Sequence, residues 1–268
     1  MLRPARGRRL LVVLAALASA RAAAADPRPP SPIEAAADAA TNPFPLANSV
    51  QLQPAYTDVH AGGSTTQLLV RVGLFYRGLF VPGLALAGLY TFARLEMYAE
   101  SLDRPPSPLA VGLQNWNALW LGAKPFAWGA QLGLGVAAVL PTATDPALDD
   151  QEFQLGPALG AYLTRVPHVD FGALVQFLFS VAGTTPDLGY VWVQPIITWH
   201  LPRAFFLKTD PIWKFDFRNA PAATVPVNLH VGRAVSAHTA INGIVEVVTV
   251  GSGKANVTVQ LNVAYVRW

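Results

Sequence analysis

Apolar and polar residues alternate along most of this chain with a period of two. Trp128, Ala130, Leu132, Leu134, Val136, Ala138 and Leu140 share one parity, while Gly129, Gln131, Gly133 and Gly135 hold the other. Phe171, Ala173, Val175, Phe177, Phe179 and Val181 alternate with Asp170, Gly172, Gln176 and Ser180, and Val257, Val259, Leu261, Val263 and Tyr265 alternate with Thr258, Gln260, Asn262 and Ala264. Side chains on a strand point to opposite faces in turn, so each segment has one face suited to hydrocarbon and one suited to a polar interior. Gly, Pro, Asn and Asp clusters separate the segments. The pattern predicts strands at 48–58, 65–77, 84–98, 111–123, 126–140, 151–163, 168–182, 188–201, 203–217, 223–235, 238–250 and 255–268. Together they make an all-β, transmembrane, antiparallel up-and-down β-barrel of about twelve strands.

Every second connection in this scheme is short: Phe80-Val81-Pro82, Lys124-Pro125, Arg165-Val166-Pro167, Leu201-Pro202 and Ser236-Ala237. The alternate connections are longer, with 101–109 and 141–150 the longest. Short turns on one rim and long loops on the other are what a barrel with both termini on the periplasmic side presents. A helical bundle fits poorly. The best uncharged stretch, Gly78 to Ala93, is interrupted by Pro82 and Gly83 and falls short of the roughly 20 apolar residues of a helical span.

Composition sharpens this reading. The chain is 52% hydrophobic and only 13% charged, against about 25% charged residues in an ordinary soluble domain. Residues 1–25 have the form of a signal peptide, with Arg3, Arg6, Arg8 and Arg9 before an apolar run from Leu10 to Ala18 and Ala23-Ala24-Ala25 ahead of Asp26. Cleavage is expected near Ala25, followed by a periplasmic N-terminal segment at 26–47 and the barrel at 48–268. Ile33 to Ala40 in that segment is helix-like. It reads either as a loose tail or as a plug tucked into the barrel mouth. Five of the nineteen Lys and Arg residues precede Asp26 and no acid does, so the formal +3 charge becomes slightly negative in the remainder. Nucleic-acid binding loses its support.

Chemistry-bearing constellations are scarce. There is no cysteine, hence no disulfide, no thiol chemistry and no acceptor for a lipid anchor. The five histidines, His60, His168, His200, His230 and His238, lie in different segments without metal-ligand spacing, and no cofactor or metal is expected. Gly133-Leu134-Gly135 imitates a dinucleotide turn, but strand alternation continues through it to Leu140. An outer-membrane lipid hydrolase would need a Ser nucleophile beside a His. No His-x-Ser pair occurs, and Ser180 and His200, on adjacent predicted strands, meet only in a favourable register.

The polar parity is more informative. Inward positions hold Gln67, Arg71, Arg94, Glu96, Asn115, Asn117, Glu152, Gln154, Asp170, Gln194, Lys208, Asp210, Lys214, Asp216, Asn242 and Glu246. These either pair into a network that fills the interior or line a permeation path. Lys208 and Lys214 are expected to pair with Asp210, Asp216 or Asp170. On the ninth strand Phe205, Leu207, Trp213, Phe215 and Phe217 take odd positions and the charges even ones, on both sides of Pro211, so no net slip is expected there. Acidic residues of the longer loops, Asp58, Glu100, Asp103, Asp145, Asp149, Asp150 and Asp187, could bridge divalent cations to lipopolysaccharide. Arg77, Lys124, Arg165 and Arg203 mark the short-turn rim. Outer-membrane lipids and the barrel-assembly machinery, engaging the C-terminal strand, are the other expected partners.

Several stretches resemble one family: EAAADAATNPFPLANSVQLQ at 34–53, Leu-Pro-Thr-Ala-Thr-Asp at 140–145, Gly172 to Val175 with Ser180 to Gly183, Gln194-Pro195, and Thr224-Val225-Pro226-Val227. They are similar to the outer-membrane transporters of the MetA-pathway of phenol degradation family. The resemblance implies a barrel that passes small, hydrophobic or aromatic molecules passively. The alternatives are a structural or surface-interaction barrel with a filled, non-conducting core, and third, the lipid hydrolase. One departure stands out. Barrels of this kind end on an outward aromatic, yet Trp268 has the opposite parity to Val263 and Tyr265, so either a bulge lies at 266–267 or Tyr265 is the effective terminal aromatic.

Overall fold

The computed structural model describes residues 31–45, 47–60, 62–78, 89–105, 107–149, 152–183, 189–218, 222–251 and 254–268. A helix α1 (Pro32–Thr41) is followed by β1 (Asn48–Asp58), β2 (Ser64–Arg77), β3 (Tyr90–Asp103), β4 (Ala110–Leu113), β5 (Trp116–Pro125), β6 (Ala130–Leu140) and β7 (Phe153–Val166). Then come β8 (Val169–Ala182), β9 (Gly189–Leu201), β10 (Phe205–Thr209), β11 (Trp213–Asp216), β12 (Ala222–Ala234), β13 (Thr239–Val250) and β14 (Val257–Arg267). β4 with β5, and β10 with β11, are two halves of single staves. The fourteen segments therefore form twelve antiparallel staves, each paired with its chain neighbours, and β1 closes the ring against β14.

The parity read from the sequence is the parity of the wall. Leu132, Leu134 and Val136 are exposed on the outer face, as are Val227, Leu229 and Val231 of β12 and Val259 and Leu261 of β14. An apolar outer surface this continuous needs a covering other than water. β14 keeps one register with β1 to its end, Ser49 opposite Val266 and Asn48 opposite Arg267, so there is no bulge. Val266 is buried and Tyr265 is exposed, which makes Tyr265 the terminal outward aromatic.

Proline breaks the tenth and eleventh segments apart without shifting them. Thr209 faces Ile197 and Trp213 faces Val193, the same register on β9 from both sides of Pro211. A bulge occurs instead between Val225 and Pro226, where β12 shifts by one residue against β13, and β7 shifts against β8 near both of its ends. Pro226 brings no N–H to the ladder, which suits an irregular position.

Several boundaries differ from the sequence reading. The third strand begins at Tyr90, not 84, and runs on to Asp103, because Arg77 pairs with Tyr90 and the ladder continues to Ser64 opposite Asp103. Its connection to β2 is thus longer than a tight turn, and Phe80-Val81-Pro82 lies outside the described residues. Lys124-Pro125 belongs to β5, and the turn is at 126–129, where Gly129 takes φ 87° and donates to the Phe126 carbonyl. Trp128 sits in that turn, not in a strand. Glu100, expected in a loop, is in β3 and bonds Gln67 and Gln114. Asp150 and Asp187 lie outside the described residues.

The N-terminal segment enters the barrel from the turn rim. Pro32 opens α1, Glu34 sits in its first turn, and the alanine run has the highest helix propensity available. Ala36 and Ala37 pack with Ala204, Phe206, Ala234 and Ala240, and Ala39 with Ala47 and Val266. Asn42 then caps the backbone, its Oδ1 accepting from Phe44 N at 2.8 Å, and turns Phe44 into the lumen.

Candidate functional site

The interior holds an apolar core and a polar cavity. On the β3 to β9 side, inward apolar residues Phe92, Leu119, Leu121, Leu174, Leu178 and Ile196 surround the fully buried Phe44 and make a core. The remaining staves, joined by Tyr98, Asn117, Gln154, Tyr190 and Trp192 from the loop-rim ends of β3, β5, β7 and β9, enclose a largely polar cavity of about 700 Å³. Its lining runs from Ala40 of α1 to Leu148 and Asp149 of the long 141–152 connection. Both rims are therefore occupied by chain folded over them.

The polar wall is wired across strands. Gln194 Nε2 donates to the Asp210 carboxylate at 3.3 Å, and Lys208 Nζ and His230 Nε2 reach that carboxylate at 2.7 and 2.8 Å. Asn242 bonds His230 Nδ1 at 3.2 Å, and Asn262 Nδ2 donates to Asn242 Oδ1 at 2.9 Å. This chain of contacts links β9, the β10–β11 stave, β12, β13 and β14. Asn228 adds a branch, accepting from Asp210 N and donating to Glu246. Across the lumen, Glu96 binds Arg71 Nε at 2.7 Å, Arg94 Nε at 3.3 Å and the Tyr98 hydroxyl at 2.8 Å, while Arg71 also donates to Gln51. Paired charges of this kind hold staves together as well as lining a path.

Of the inward residues singled out from sequence, Arg71, Asn115, Asn117, Gln194, Lys208, Asp210, Lys214 and Glu246 line the cavity, with Gln67, Gln154 and Asn242. Arg94, Glu96, Glu152, Asp170 and Asp216 do not. Glu96 is sealed behind its two arginines, and Arg94 borders a shallow groove on the opposite side of the wall with Leu74 and Trp120. Glu152 is buried near the loop rim and accepts from Ser180 Oγ at 2.6 Å. Asp170 is at the turn rim, held by Tyr162 and His200. Asp216 accepts from the Arg218 backbone N–H near the end of β11.

Lys214 departs from expectation. It pairs with none of Asp210, Asp216 and Asp170 but stands over the Trp192 ring at 4.7 Å, because the strand places it directly opposite Trp192. Ser180 and His200 also fail to meet. β8 puts Asp170 opposite Thr198, so His200 is at one rim while Ser180, ten positions along, is at the other, on the order of 30 Å away. Sequence reading passed over Tyr98, Tyr190 and Trp192, which line the cavity. All three lie on the polar parity of their strands, and that was the signal available. Among the described residues no cluster of side chains is arranged to hold a metal.

No family model matches the sequence and no curated protein matches it. Solved structures match its fold. The COG4313 outer membrane channel from Pseudomonas putida F1 aligns with a TM-score of 0.61 at 9% identity, covering 84% of this chain and 97% of that one. The NanC porin aligns at 0.56 and 8% identity, and the KdgM porin at 0.52 and 10%, each over 81% of this chain and 98% of the other. The protein has the fold of the outer-membrane β-barrels.

Proposed function

We propose that this protein is a passive outer-membrane channel for small solutes bearing hydrogen-bonding groups. The observation that carries the reading is the polar cavity itself, lined by Gln, Asn and paired charges between the two rims. Amide side chains offer both donors and acceptors to a solute that sheds its water. Tyr98, Tyr190 and Trp192 add aromatic surface to the same wall. A hydroxylated aromatic molecule would use both features, which is where the resemblance to the phenol-degradation barrels and the chemistry of the lumen agree. A purely hydrophobic solute would leave the amides without partners. Export by the leader, with cleavage near Ala25, and lipid around the apolar outer face complete the proposal.

The segment 32–47 acts in this reading as a plug, since α1 packs on β10, β12, β13 and β14 and Ala40 borders the cavity. The apolar core around Phe44 favours a second reading, a filled barrel that conducts nothing. Planar-bilayer recording of the refolded protein separates them. Discrete conductance steps, reduced by millimolar hydroxylated aromatic solute, are the expected result, and a silent membrane at every pH and voltage would leave the filled barrel as the function.

A further inference from the structure

The helix that floors the lumen meets the wall at a polar cluster. Asp38 Oδ1 lies 3.3 Å from His200 Nδ1, and His200 Nε2 lies 2.7 Å from Asp170 Oδ2. Tyr162 donates to the same Asp170 oxygen at 3.0 Å. An imidazole that faces a carboxylate with each nitrogen can donate to both only as the imidazolium. Most of the packed face of α1 is apolar. Phe206, Ala234, Ala240 and Val266 face it from β10, β12, β13 and β14. Glu34, one turn earlier on the helix itself, is the remaining acid near Asp38. Arg203 in the 202–204 turn is exposed, and His238 between β12 and β13 is exposed with its Nδ1 on the Val266 carbonyl.

We propose that Asp38, His200 and Asp170 form a proton-operated latch that holds α1 in the barrel mouth in acid and lets it go as the pH rises. The inference rests on the reading of 32–47 as a plug and adds its regulation. Although its side chain stays 54% exposed, partial burial in the mouth pushes the Asp38 carboxyl up from its ordinary 3.8 to about 6, against the pull of His200. The docked helix therefore binds more protons than the released one. Its docking is strongest below about 3.8 and weakens as the pH climbs towards 6. Loss of the imidazolium proton at higher pH then removes one of the two N–H donors and leaves Asp38, Asp170 and Glu34 facing one another. Both steps run in the same direction, so alkali opens and acid closes.

The chain has no cysteine, so a single introduced thiol reports on the helix. Ala36→Cys is fully buried under the docked helix, and Ala39→Cys tests the other packed face should the first variant fold poorly. Lys254→Cys on the loop rim, labelled in parallel, corrects for the ordinary rise of thiol reactivity with pH. Labelling by a water-soluble maleimide, taken relative to that reference, should rise about tenfold between pH 5 and pH 8, as expected for roughly one proton bound preferentially by the docked state. Asp38→Asn should hold labelling low across the range, and His200→Gln should raise it already at pH 6. A relative rate that does not change with pH, or changes equally in Asp38→Asn, overturns the latch. A pH-dependent rate in a barrel that never conducts leaves the latch standing and overturns the channel instead.

Discussion

Phe44 rests against the bare backbone of Gly160. A Cβ on Gly160 would collide with Cζ, Cε2 and Cε1 of Phe44, closer than such contacts ever come. Gly160 sits on the inward parity of β7 between Ala158 and Tyr162, so the missing side chain is the notch that admits the ring. Gly160→Ala should therefore cost about 1 to 3 kcal/mol, the usual penalty for overpacking. The expected readout is a lower temperature for the shift between folded and unfolded bands in detergent electrophoresis. Phe44→Leu in the same background should restore part of it, whereas an unchanged shift temperature in Gly160→Ala would mean that Phe44 is not seated there.

Glu96 neutralises two arginines at once, which makes it a costly polar position in the wall. Glu96→Gln keeps the shape but leaves Arg71 and Arg94 without their shared carboxylate, and Tyr98 loses a charged acceptor. Breaking a buried ion pair from one side costs about 3 to 5 kcal/mol. Urea unfolding in detergent should show a loss on that scale, and the double variant with Arg94→Met should recover part of it. A loss below about 1 kcal/mol would put this cluster in the class of exposed pairs.

Lys214 offers the opposite test. It is exposed to the lumen, forms no ion pair among the described residues and touches Trp192 through its ammonium. Lys214→Glu orphans no buried partner, so stability should change by less than about 1 kcal/mol, the range of exposed charges. Ion selectivity should move towards cations, read as a shift of reversal potential under a salt gradient. Lys208→Glu, by contrast, sets a second carboxylate against Asp210 and should impair folding. Equal effects of the two substitutions would show that Lys214 is not on the conducting path.

Strand number, strand direction and the inward or outward sense of each residue are local properties, and the sequence carries them. Hydrocarbon on one side and polar neighbours on the other demand a period of two, and that period is visible within any ten residues. It placed Gln194, Lys208, Asp210 and Lys214 on the lumen wall and ruled out a slip at Pro211, as the common register of Thr209 and Trp213 on β9 shows. It also implied Tyr265 as one of two candidates for the terminal aromatic. What parity cannot convey is partnership, because the residues that meet inside a barrel are separated by the whole circuit of the wall. Asp38 and His200 are remote in sequence, as are Phe44 and Gly160, and only closure of the ring onto α1 brings each pair together. For the same reason half of the inward face could be apolar core and half polar cavity without any change in alternation. Leu119 and Leu174 have the same inward sense as Gln194, and only the position of Phe44 decides that they pack against a ring while Gln194 borders an open space. Whether Lys214 found a carboxylate or the face of Trp192 was likewise set by register between staves, a quantity that depends on the geometry of the closed barrel and not on the composition of any one strand.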